Sequence, residues 1–397
     1  MQYSDFQGLK LSRLGFGLMR LPTNPDKTVD EARCASLFDY AIAHGVNYFD
    51  TAYPYLNGLS ELVAGRLLKK YPRESYYLAD KFPGHQISET HYPEPIFEEQ
   101  LQKCQVDYFD FYLMHNVYEN SIEVYEDPRW GIVDYFVRQK EAGRIRHLGF
   151  SAHGRLDNMK RFLDRFGDLM EFCQIQLNYL DWTLQDAEAK CALLAERNIP
   201  VWVMEPVRGG KLATLPEGAA ARLRQARPQE SAAAWAFRWL QRLPQVKVVL
   251  SGMSTEAQLE ENVRTFSEGA PLTDAENALL LEIAEGLKGA LPCTGCRYCC
   301  DGCPRQLDIP RLLDCYNDVR FDPSMTASMQ LDSLPTDKQP DACIRCGACV
   351  KVCPQKIDIP KALQELAEIR PKLPSWAAIC RQREAAAQAL RQQGKFQ

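Results

Sequence analysis

The sequence predicts an α/β protein in which a (β/α)8 TIM barrel is followed by a small, mainly helical domain. Two observations support this fold class. Short apolar runs alternate with amphipathic segments from Leu9 to about Phe266, and eleven of the fifteen cysteines lie after residue 290. The first pattern is typical of a parallel sheet covered by helices. The second indicates a domain boundary near residues 288–292.

Length and composition fit one large and one small domain. The chain has 397 residues, of which 46% are hydrophobic and 25% charged, and its net charge is −5. No stripe of lysine and arginine is interleaved with aromatic residues, which argues against a nucleic-acid partner. No run reaches the roughly 18 apolar residues of a membrane-spanning helix, and the N-terminus does not resemble a secretion signal. We therefore expect a cytoplasmic protein with no membrane partner, whose cysteines bind metal rather than form disulfides.

Eight strands are expected in the first 288 residues. In chain order they are LSRLGFGLMRL, NYFDTA, YYLADKF, DYFDFYLMH, IRHLGFSAH, CQIQLNYL, PVWVMEPV and VKVVLSG. Segments between them, such as EARCASLFDYAIAHG and SAAAWAFRWLQRL, have apolar residues three and four positions apart and are predicted helices. Eight βα units favour a TIM barrel, with a doubly wound sheet as the alternative. The stretch GFGLMR is not a dinucleotide fingerprint, because Arg20 stands where the third glycine would be.

Polar side chains end three successive strands of this predicted barrel. Asp50 ends the second strand and Tyr55 follows it, Lys81 ends the third strand, and His115 ends the fourth. Catalytic residues of TIM barrels lie at the carboxyl ends of strands. A lysine ammonium that stabilises a phenolate would lower the pKa of Tyr55 from its usual value near 10, which suits a proton donor. Taken singly, each residue is also explained by an ordinary ion pair or by packing.

The segment FDTAYPYLNGLSELVAG, which contains Asp50 and Tyr55, resembles the signature of the aldo-keto reductase family. LADKF, YLMHN, GRIRHLGFSAH and SGMSTEAQLEEN resemble later blocks of that family in the same order, over about residues 8–266. The resemblance implies a barrel that binds NAD(P)H without a Rossmann motif. It also implies that Tyr55 is the general acid, that Lys81 and Asp50 tune it, and that His115 positions the substrate. The expected function is reduction of an aldehyde or ketone, or oxidation of the alcohol, by hydride transfer.

The same resemblance suggests where the cofactor lies. Ser151 and Gln176 match positions that bind the nicotinamide carboxamide. Glycines after the seventh strand allow the backbone to approach a pyrophosphate, and the helix after the eighth strand offers free N–H groups to a phosphate. The expected cofactor contacts are Gly17, Leu18, Met19, Asp50, Ser151, Gln176, Met204, Glu205, Gly209, Gly210, Gly252, Ser254, Gln258, Glu261 and Asn262.

Two departures from the family pattern bear on the cofactor. Met204 stands where many members place an aromatic ring against the nicotinamide. Members that prefer NADPH carry a base just after the glycine of the eighth strand, whereas Met253 follows Gly252 here and Gln258 occupies another often basic position. Glutamates surround these residues, at positions 256, 260 and 261. We therefore expect a preference for NADH, or weak discrimination between the two cofactors.

The C-terminal cysteines form an internal repeat. Cys293, Cys296, Cys299 and Cys303 recur fifty positions later as Cys343, Cys346, Cys349 and Cys353, and each run has the spacing C-x2-C-x2-C-x3-C-P. Bacterial ferredoxins use this spacing for [4Fe–4S] clusters, whereas a zinc site more often has two CxxC pairs separated by a longer loop. Cys300 allows a different spacing in the first run, but Val350 stands at the equivalent place in the second and favours Cys299.

Residues 290–365 resemble dicluster ferredoxin domains, in which the fourth cysteine of each run ligates the other cluster. That resemblance implies one cluster on Cys293, Cys296, Cys299 and Cys353, and another on Cys343, Cys346, Cys349 and Cys303. The segments after Pro310 and Pro360 have helical patterns, so we expect a helical rather than strand-rich module. The predicted domains are a barrel (1–288), an iron–sulfur domain (289–370) and a helical tail (371–397) whose Gln/Arg face is solvated.

The predicted barrel and the predicted iron–sulfur domain transfer different numbers of electrons. A nicotinamide gives two electrons as hydride, a cubane cluster accepts one at a time, and the sequence has no flavin signature. The clusters could relay electrons to a redox partner protein, form a structural lid, or sense oxygen or redox state. A fourth interpretation is a nicotinamide- or redox-sensing binding protein that reduces no carbonyl, against which the four polar residues at the strand ends argue.

Overall fold

The structure is a computed structural model that describes residues 1–86, 88–321 and 325–393. A two-stranded antiparallel hairpin precedes a closed barrel of eight parallel strands, as the sequence predicted for the barrel. The hairpin consists of β1 (Tyr3–Phe6) and β2 (Leu9–Ser12). The barrel strands are β3 (Leu14–Gly17), β4 (Tyr48–Asp50), β5 (Tyr77–Phe82), β6 (Phe109–Val117), β7 (Ile145–Ala152), β8 (Phe172–Gln176), β9 (Val201–Met204) and β10 (Val246–Ser251). Each pairs with the next in sequence, and β10 closes the barrel against β3.

Helices surround the barrel and continue beyond it. Those of the barrel are α1 (Glu31–Ala43), α2 (Leu59–Leu68), α3 (Pro93–Cys104), α4 (Ser121–Glu126), α5 (Ile132–Glu141), α6 (Leu156–Phe166), α7 (Asp181–Leu184), α8 (Ala187–Glu196), α9 (Glu217–Ala226), α10 (Ala232–Gln241), α11 (Glu256–Ser267) and α12 (Asp274–Lys288). The C-terminal region adds α13 (Tyr298–Asp301), α14 (Ile309–Phe321), α15 (Met325–Asp332), α16 (Ala348–Val352), α17 (Ile359–Ile369) and α18 (Trp376–Gln392). Within the described ranges, none of these helices is long and apolar enough to cross a bilayer.

The hairpin corrects the expected first strand. The run from Leu11 to Leu21 was predicted as one strand, but its beginning belongs to the hairpin and only Leu14–Gly17 enters the barrel. Gln7 and Gly8 both have positive φ, at 48° and 86°, which suits a tight two-residue hairpin turn. The hairpin carries Phe6 onto the aromatic layer inside the barrel, where its ring lies 5.1 Å from that of Trp202. It thereby packs against the amino-terminal end of the barrel core.

The C-terminal domain is helical, as predicted, and has its own apolar core. The two copies of the repeat give equivalent elements: α13 packs against α16, and α14 packs against α17. Pro310 and Pro360 lie in the first turns of α14 and α17, where a missing N–H costs no hydrogen bond. Leu312 and Leu363 are fully buried between the two copies. Both repeats therefore contribute to one core.

This C-terminal domain packs on the carboxyl-terminal end of the barrel. Arg208, in the turn after β9, forms buried ion pairs with Asp181 of the barrel and Asp318 of α14. Arg155 lies 3.0 Å from Asp314 of the same helix. Because buried charges are costly unless paired, these contacts fix the position of the domain on the barrel. The rim where catalytic residues are expected is thus partly covered.

Candidate active site

The four polar residues predicted at the strand ends lie together on this rim. The Nζ atom of Lys81 is 2.5 Å from Oδ1 of Asp50 and 2.6 Å from the carbonyl oxygen of Thr51. The same Nζ lies 4.9 Å from the ring centroid of Tyr55. The rings of Tyr55 and His115 meet edge to face at 5.9 Å. A phenol, an ammonium and an imidazole therefore face one small space.

Burial decides the protonation states of these groups. Burial lowers the pKa of Lys81, but the charge of Asp50 and the phenol of Tyr55 outweigh this, so the pKa is raised and the lysine stays charged. Burial raises the pKa of Tyr55, and Lys81 opposes it only in part. The expectation that Lys81 brings the pKa of Tyr55 below its usual value was therefore wrong for this structure. Burial also lowers the pKa of His115 well below its usual value, so its imidazole is neutral.

A second histidine stands beside the first. The ring of His85 lies 4.4 Å from that of His115. Burial lowers the pKa of His85 well below its usual value, so the two neighbours do not repel each other as cations. The Nδ1 atom of His115 is buried and has no hydrogen-bond partner among the described residues. A buried nitrogen without a partner fits a group that hydrogen-bonds a substrate oxygen.

Helices from the C-terminal region cover this site. Trp376, the first residue of α18, stacks on His85 at 5.8 Å and donates a hydrogen bond from Nε1 to the Tyr118 hydroxyl over 3.1 Å. Farther along α18, Leu390 lies so close to Gly58 that a Cβ added to the glycine would be 3.0 Å from its Cδ1. The helix thus contacts both the histidine side of the site and the turn that carries Tyr55.

A cleft with a volume of about 320 Å³ opens beside Tyr55 and Asp50. Most of the expected cofactor contacts line it, namely Gly17, Met19, Asp50, Met204, Glu205, Gly209, Gly210, Gly252, Ser254, Gln258, Glu261 and Asn262. Gly209 and Gly210 have positive φ, at 64° and 98°, a backbone conformation that glycine adopts without strain. The cleft therefore extends from Tyr55 to the glycine turn after β9 and to the start of α11.

Three expected contacts lie outside the lining of this cleft. Leu18 is fully buried in the apolar shell of the barrel. The Oγ atom of Ser151 is buried and accepts a hydrogen bond from the backbone N–H of Asn116 over 2.7 Å. The amide of Gln176 donates to Asp181 over 2.8 Å and accepts from the Thr326 hydroxyl of α15. These side chains are already engaged by the protein.

Gln174 lines the cleft instead of Gln176, and sequence reasoning missed it. The two glutamines lie two positions apart on β8, so they share one face of the strand. The Oε1 atom of Gln174 is buried and has no hydrogen-bond partner among the described residues. An acceptor of this kind fits the amide donor of a carboxamide. The turn formed by Gly209 and Gly210 and this buried acceptor together make the cleft suitable for a dinucleotide.

The repeated cysteines line two small cavities in a crossed arrangement. One cavity is lined by Cys343, Cys346, Cys349 and Cys303, and the other by Cys293, Cys296, Cys299 and Cys353. Cys300 lines neither cavity. Across the described ranges, no three His, Cys, Asp or Glu side chains are grouped closely enough to hold a single metal ion. Thiols spread around a cavity fit a cluster of several atoms, in which each sulfur binds a different iron.

Comparisons with known proteins identify relatives of the barrel and of the cysteine-rich C-terminal region. Residues 13–285 match the model of the aldo/keto reductase family, and residues 292–357 match the model of the 4Fe-4S dicluster domain. The chain is 27% identical to an NADH-specific methylglyoxal reductase of Escherichia coli, over 70% of this chain and 97% of the relative. It is 26% identical to L-galactose dehydrogenase of Arabidopsis thaliana, over 66% of this chain and 86% of the relative.

Among solved structures, the chain is similar to an aldo-keto reductase from Bacillus halodurans in its holo form. The two are 28% identical with a TM-score of 0.57, over 70% of this chain and 93% of the other. The covered share corresponds in size to the barrel and leaves out the length of the cysteine-rich region. The barrel architecture, the family match over most of the chain and the cysteine repeat lead to one conclusion: the chain belongs to the aldo/keto reductase family and carries a 4Fe-4S dicluster domain after its barrel.

Proposed function

We propose that this oxidoreductase reduces an aldehyde or ketone with a nicotinamide cofactor, or oxidises the corresponding alcohol, and that Tyr55 is its general acid. The observation that carries the proposal is the contact of Lys81 with both Asp50 and Tyr55 beside the cleft. The nicotinamide supplies the hydride. Tyr55 donates the proton to the carbonyl oxygen, Lys81 stabilises the phenolate that remains, and neutral His115 orients the carbonyl.

The residues of the cleft suggest how the cofactor is held. Gln174 would accept from the carboxamide, and the backbone around Gly209 and Gly210 would face the pyrophosphate. The Thr255 side chain caps α11 by accepting from the N–H of Gln258, which leaves the preceding N–H groups of that helix for a phosphate. Ser151, whose oxygen already accepts from Asn116, keeps its own O–H as a donor.

We further propose a preference for NADH. No lysine or arginine occurs between Gly252 and Asn262, and Glu256 is held in an ion pair with Arg33 at 2.7 Å. Arg20 lines the cleft, but it contacts Glu205 and the backbone of Gly209. An extra phosphate would therefore meet glutamates without a free base at the start of α11. The name of the Escherichia coli relative, an NADH-specific reductase, supports the same preference.

The C-terminal region is proposed to hold two [4Fe–4S] clusters and to act as a cover for the substrate side of the barrel. The crossed cysteine cavities support the number of clusters and their ligands. The contacts of α15 with Gln176 and of α18 with His85 support the covering role. Each cluster would tie the two repeats together, and so hold α15 and α18 in place over the site.

The decisive experiment is a carbonyl panel with anaerobically purified full-length protein, with NADH and NADPH compared at each substrate. We expect turnover of at least one aldehyde or ketone and a higher kcat/KM with NADH. Binding of a nicotinamide without turnover of any carbonyl or alcohol would refute the reductase proposal and favour a sensing protein. A higher kcat/KM with NADPH would refute the cofactor preference alone.

A further inference from the structure

One cationic side chain of α18 lies on the face of the helix that packs against the barrel. Trp376, Cys380, Ala387 and Leu390 are buried, and their spacing of three, four and seven positions defines a single stripe. Arg383 falls within that stripe, where an apolar residue would be expected. Its guanidinium carbon lies 5.6 Å from the ring of Trp376. The arginine is therefore half-buried and stacked on Trp376, on the side of the helix that faces the barrel.

A series of ring contacts joins this arginine to the proposed proton donor. Trp376, under the guanidinium, stacks on His85 at 5.8 Å. His85 contacts His115 at 4.4 Å, and His115 contacts Tyr55 at 5.9 Å. Burial lowers the pKa of His85 and of His115, and the nearby charge of Arg383 adds to both effects. Burial raises the pKa of Tyr55, and the same charge opposes that rise in small part. Arg383 thus faces the same space as the two histidines and the tyrosine.

Arg383 differs from the other cationic side chain of α18 that contacts the barrel in having no carboxylate partner within the described ranges. Among the described residues, no carboxylate lies within ion-pair distance of its guanidinium. Burial lowers the pKa of Arg383, and the groups that oppose this, Cys380 and Tyr55, are not carboxylates. The contrast with Arg391 on the same helix is clear, since Arg391 lies 2.8 Å from Glu99. A partly buried cation without a counter-ion is costly unless a ligand supplies the negative charge.

We propose that Arg383 is an anion-binding residue of the substrate pocket, and that the substrate is a carbonyl compound carrying a carboxylate or phosphate group. This inference rests on the proposed reductase function. A guanidinium binds either anion through two parallel hydrogen bonds, and the partly dehydrated setting strengthens them. The anion would be held by α18 while the carbonyl is held by Tyr55 and His115. Substrate specificity would then depend on a residue of the C-terminal region, which lies outside the barrel that the family model matches.

The test compares paired substrates that differ only in charge. Succinic semialdehyde is paired with butanal for the carboxylate arm, and glycolaldehyde phosphate with glycolaldehyde for the phosphate arm. The proteins are wild type, Arg383→Gln, and Arg381→Gln as a control, because Arg381 lies exposed on the same helix. We expect a higher kcat/KM for the anionic member of one pair, and the arm in which this occurs identifies the anion. Arg383→Gln should lower the anionic-to-neutral ratio of kcat/KM by roughly 10- to 100-fold, mainly through KM.

Several results would overturn the inference. It fails if the neutral member is preferred in both pairs, if Arg383→Gln lowers both members equally, or if Arg381→Gln has the same effect. Equal losses through kcat would instead assign Arg383 to positioning Tyr55. Retention of cluster absorbance and an unfolding temperature no lower than that of the wild type in both variants establish that the loss is local.

A second measurement does not depend on turnover. Succinate and inorganic phosphate are titrated calorimetrically into the full-length protein with its clusters intact. We expect one of them to bind the wild type at least about ten times more tightly than Arg383→Gln. If no carbonyl is reduced but this difference is found, the reductase proposal fails and the anion site stands. Equal affinity in both proteins would refute the anion site.

Discussion

The ammonium of Lys81 lies 2.5 Å from the carboxylate of Asp50, and both side chains are buried. Two charges removed from water at this distance depend on each other, because either one alone would be buried without compensation. The pair also fixes the ammonium beneath the ring of Tyr55. Stability of the barrel rim and the proposed tuning of Tyr55 are therefore linked through one contact.

Replacing Lys81 with Met should destabilise the protein and slow carbonyl reduction. The buried Asp50 would lose its partner, at a cost of about 3–5 kcal/mol, and the phenol would lose its stabilising charge. Thermal unfolding measures the first effect and the pH profile of the rate measures the second. The double variant Asp50→Asn/Lys81→Met should unfold at a higher temperature than Lys81→Met. Strictly additive losses would contradict the coupling.

Replacing Tyr55 with Phe removes the proposed acid and keeps the ring. We expect carbonyl reduction to fall roughly 100-fold or more, because the proton donor is lost. The dissociation constant of NADH, measured by fluorescence, should stay near the wild-type value, because the proposed cofactor contacts are made by other residues. Tyr53→Phe is the matched control for a neighbouring tyrosine, whose hydroxyl contacts Arg391 instead. A Tyr55→Phe variant with near-normal turnover would rule out the assignment.

The pH dependence of reduction should show no step near the usual pKa of histidine. The acid must be protonated, and burial raises the pKa of Tyr55, so the active form persists into alkaline solution. Neutral His115 is needed, and burial lowers its pKa, so that it gains a proton only in acid. The profile of kcat/KM should therefore be flat between about pH 6.5 and 9. An inflection within that range, present in the wild type and in the exposed-site control His44→Asn, would contradict this.

Cluster ligation can be tested with pairs of cysteine substitutions. If the fourth cysteine of each run binds the other cluster, Cys296 and Cys353 share one cluster while Cys303 belongs to the second. Cys296→Ser/Cys353→Ser should then lose about half of the iron, no more than either single variant. Cys296→Ser/Cys303→Ser should lose nearly all of it, and Cys300→Ser should lose none. Iron and sulfide analysis of anaerobically purified protein decides the matter, and the reverse result for the two pairs would indicate uncrossed ligation.

Hydride transfer should be indifferent to the redox state of the clusters. Hydride and proton together complete carbonyl reduction, so no one-electron carrier is required. Single-turnover rates measured anaerobically with oxidised and with reduced clusters, verified by electron paramagnetic resonance, should be equal. The intact protein is needed here, because deleting the C-terminal domain would also expose the site to water. A rate that follows cluster reduction, or cluster reduction by NADH without a carbonyl, would indicate an electron relay.

Much of the site could be predicted from sequence because its residues follow their strands directly. Asp50, Lys81 and His115 stand at or near the ends of apolar runs, and parallel strands bring such ends to one edge. The cysteine spacing is equally local. Gln174 and Gln176 show where this reasoning stops: both lie on one face of β8, and only the packing around the closed barrel decides which of them reaches the cleft.

The sequence by itself determined the barrel, the polar residues at its strand ends and the cysteine repeat, since each depends on local patterns in the chain. Only the tertiary structure decided what covers the site. Trp376 and His85 are separated by most of the chain, and no periodicity connects them. The pattern of α18 predicts an amphipathic helix but not its binding surface. In the sequence, Arg383 is one of several arginines in a polar tail. Only the packing of α18 on the barrel buries it in part and brings its charge near Tyr55, because burial and proximity are properties of the folded chain.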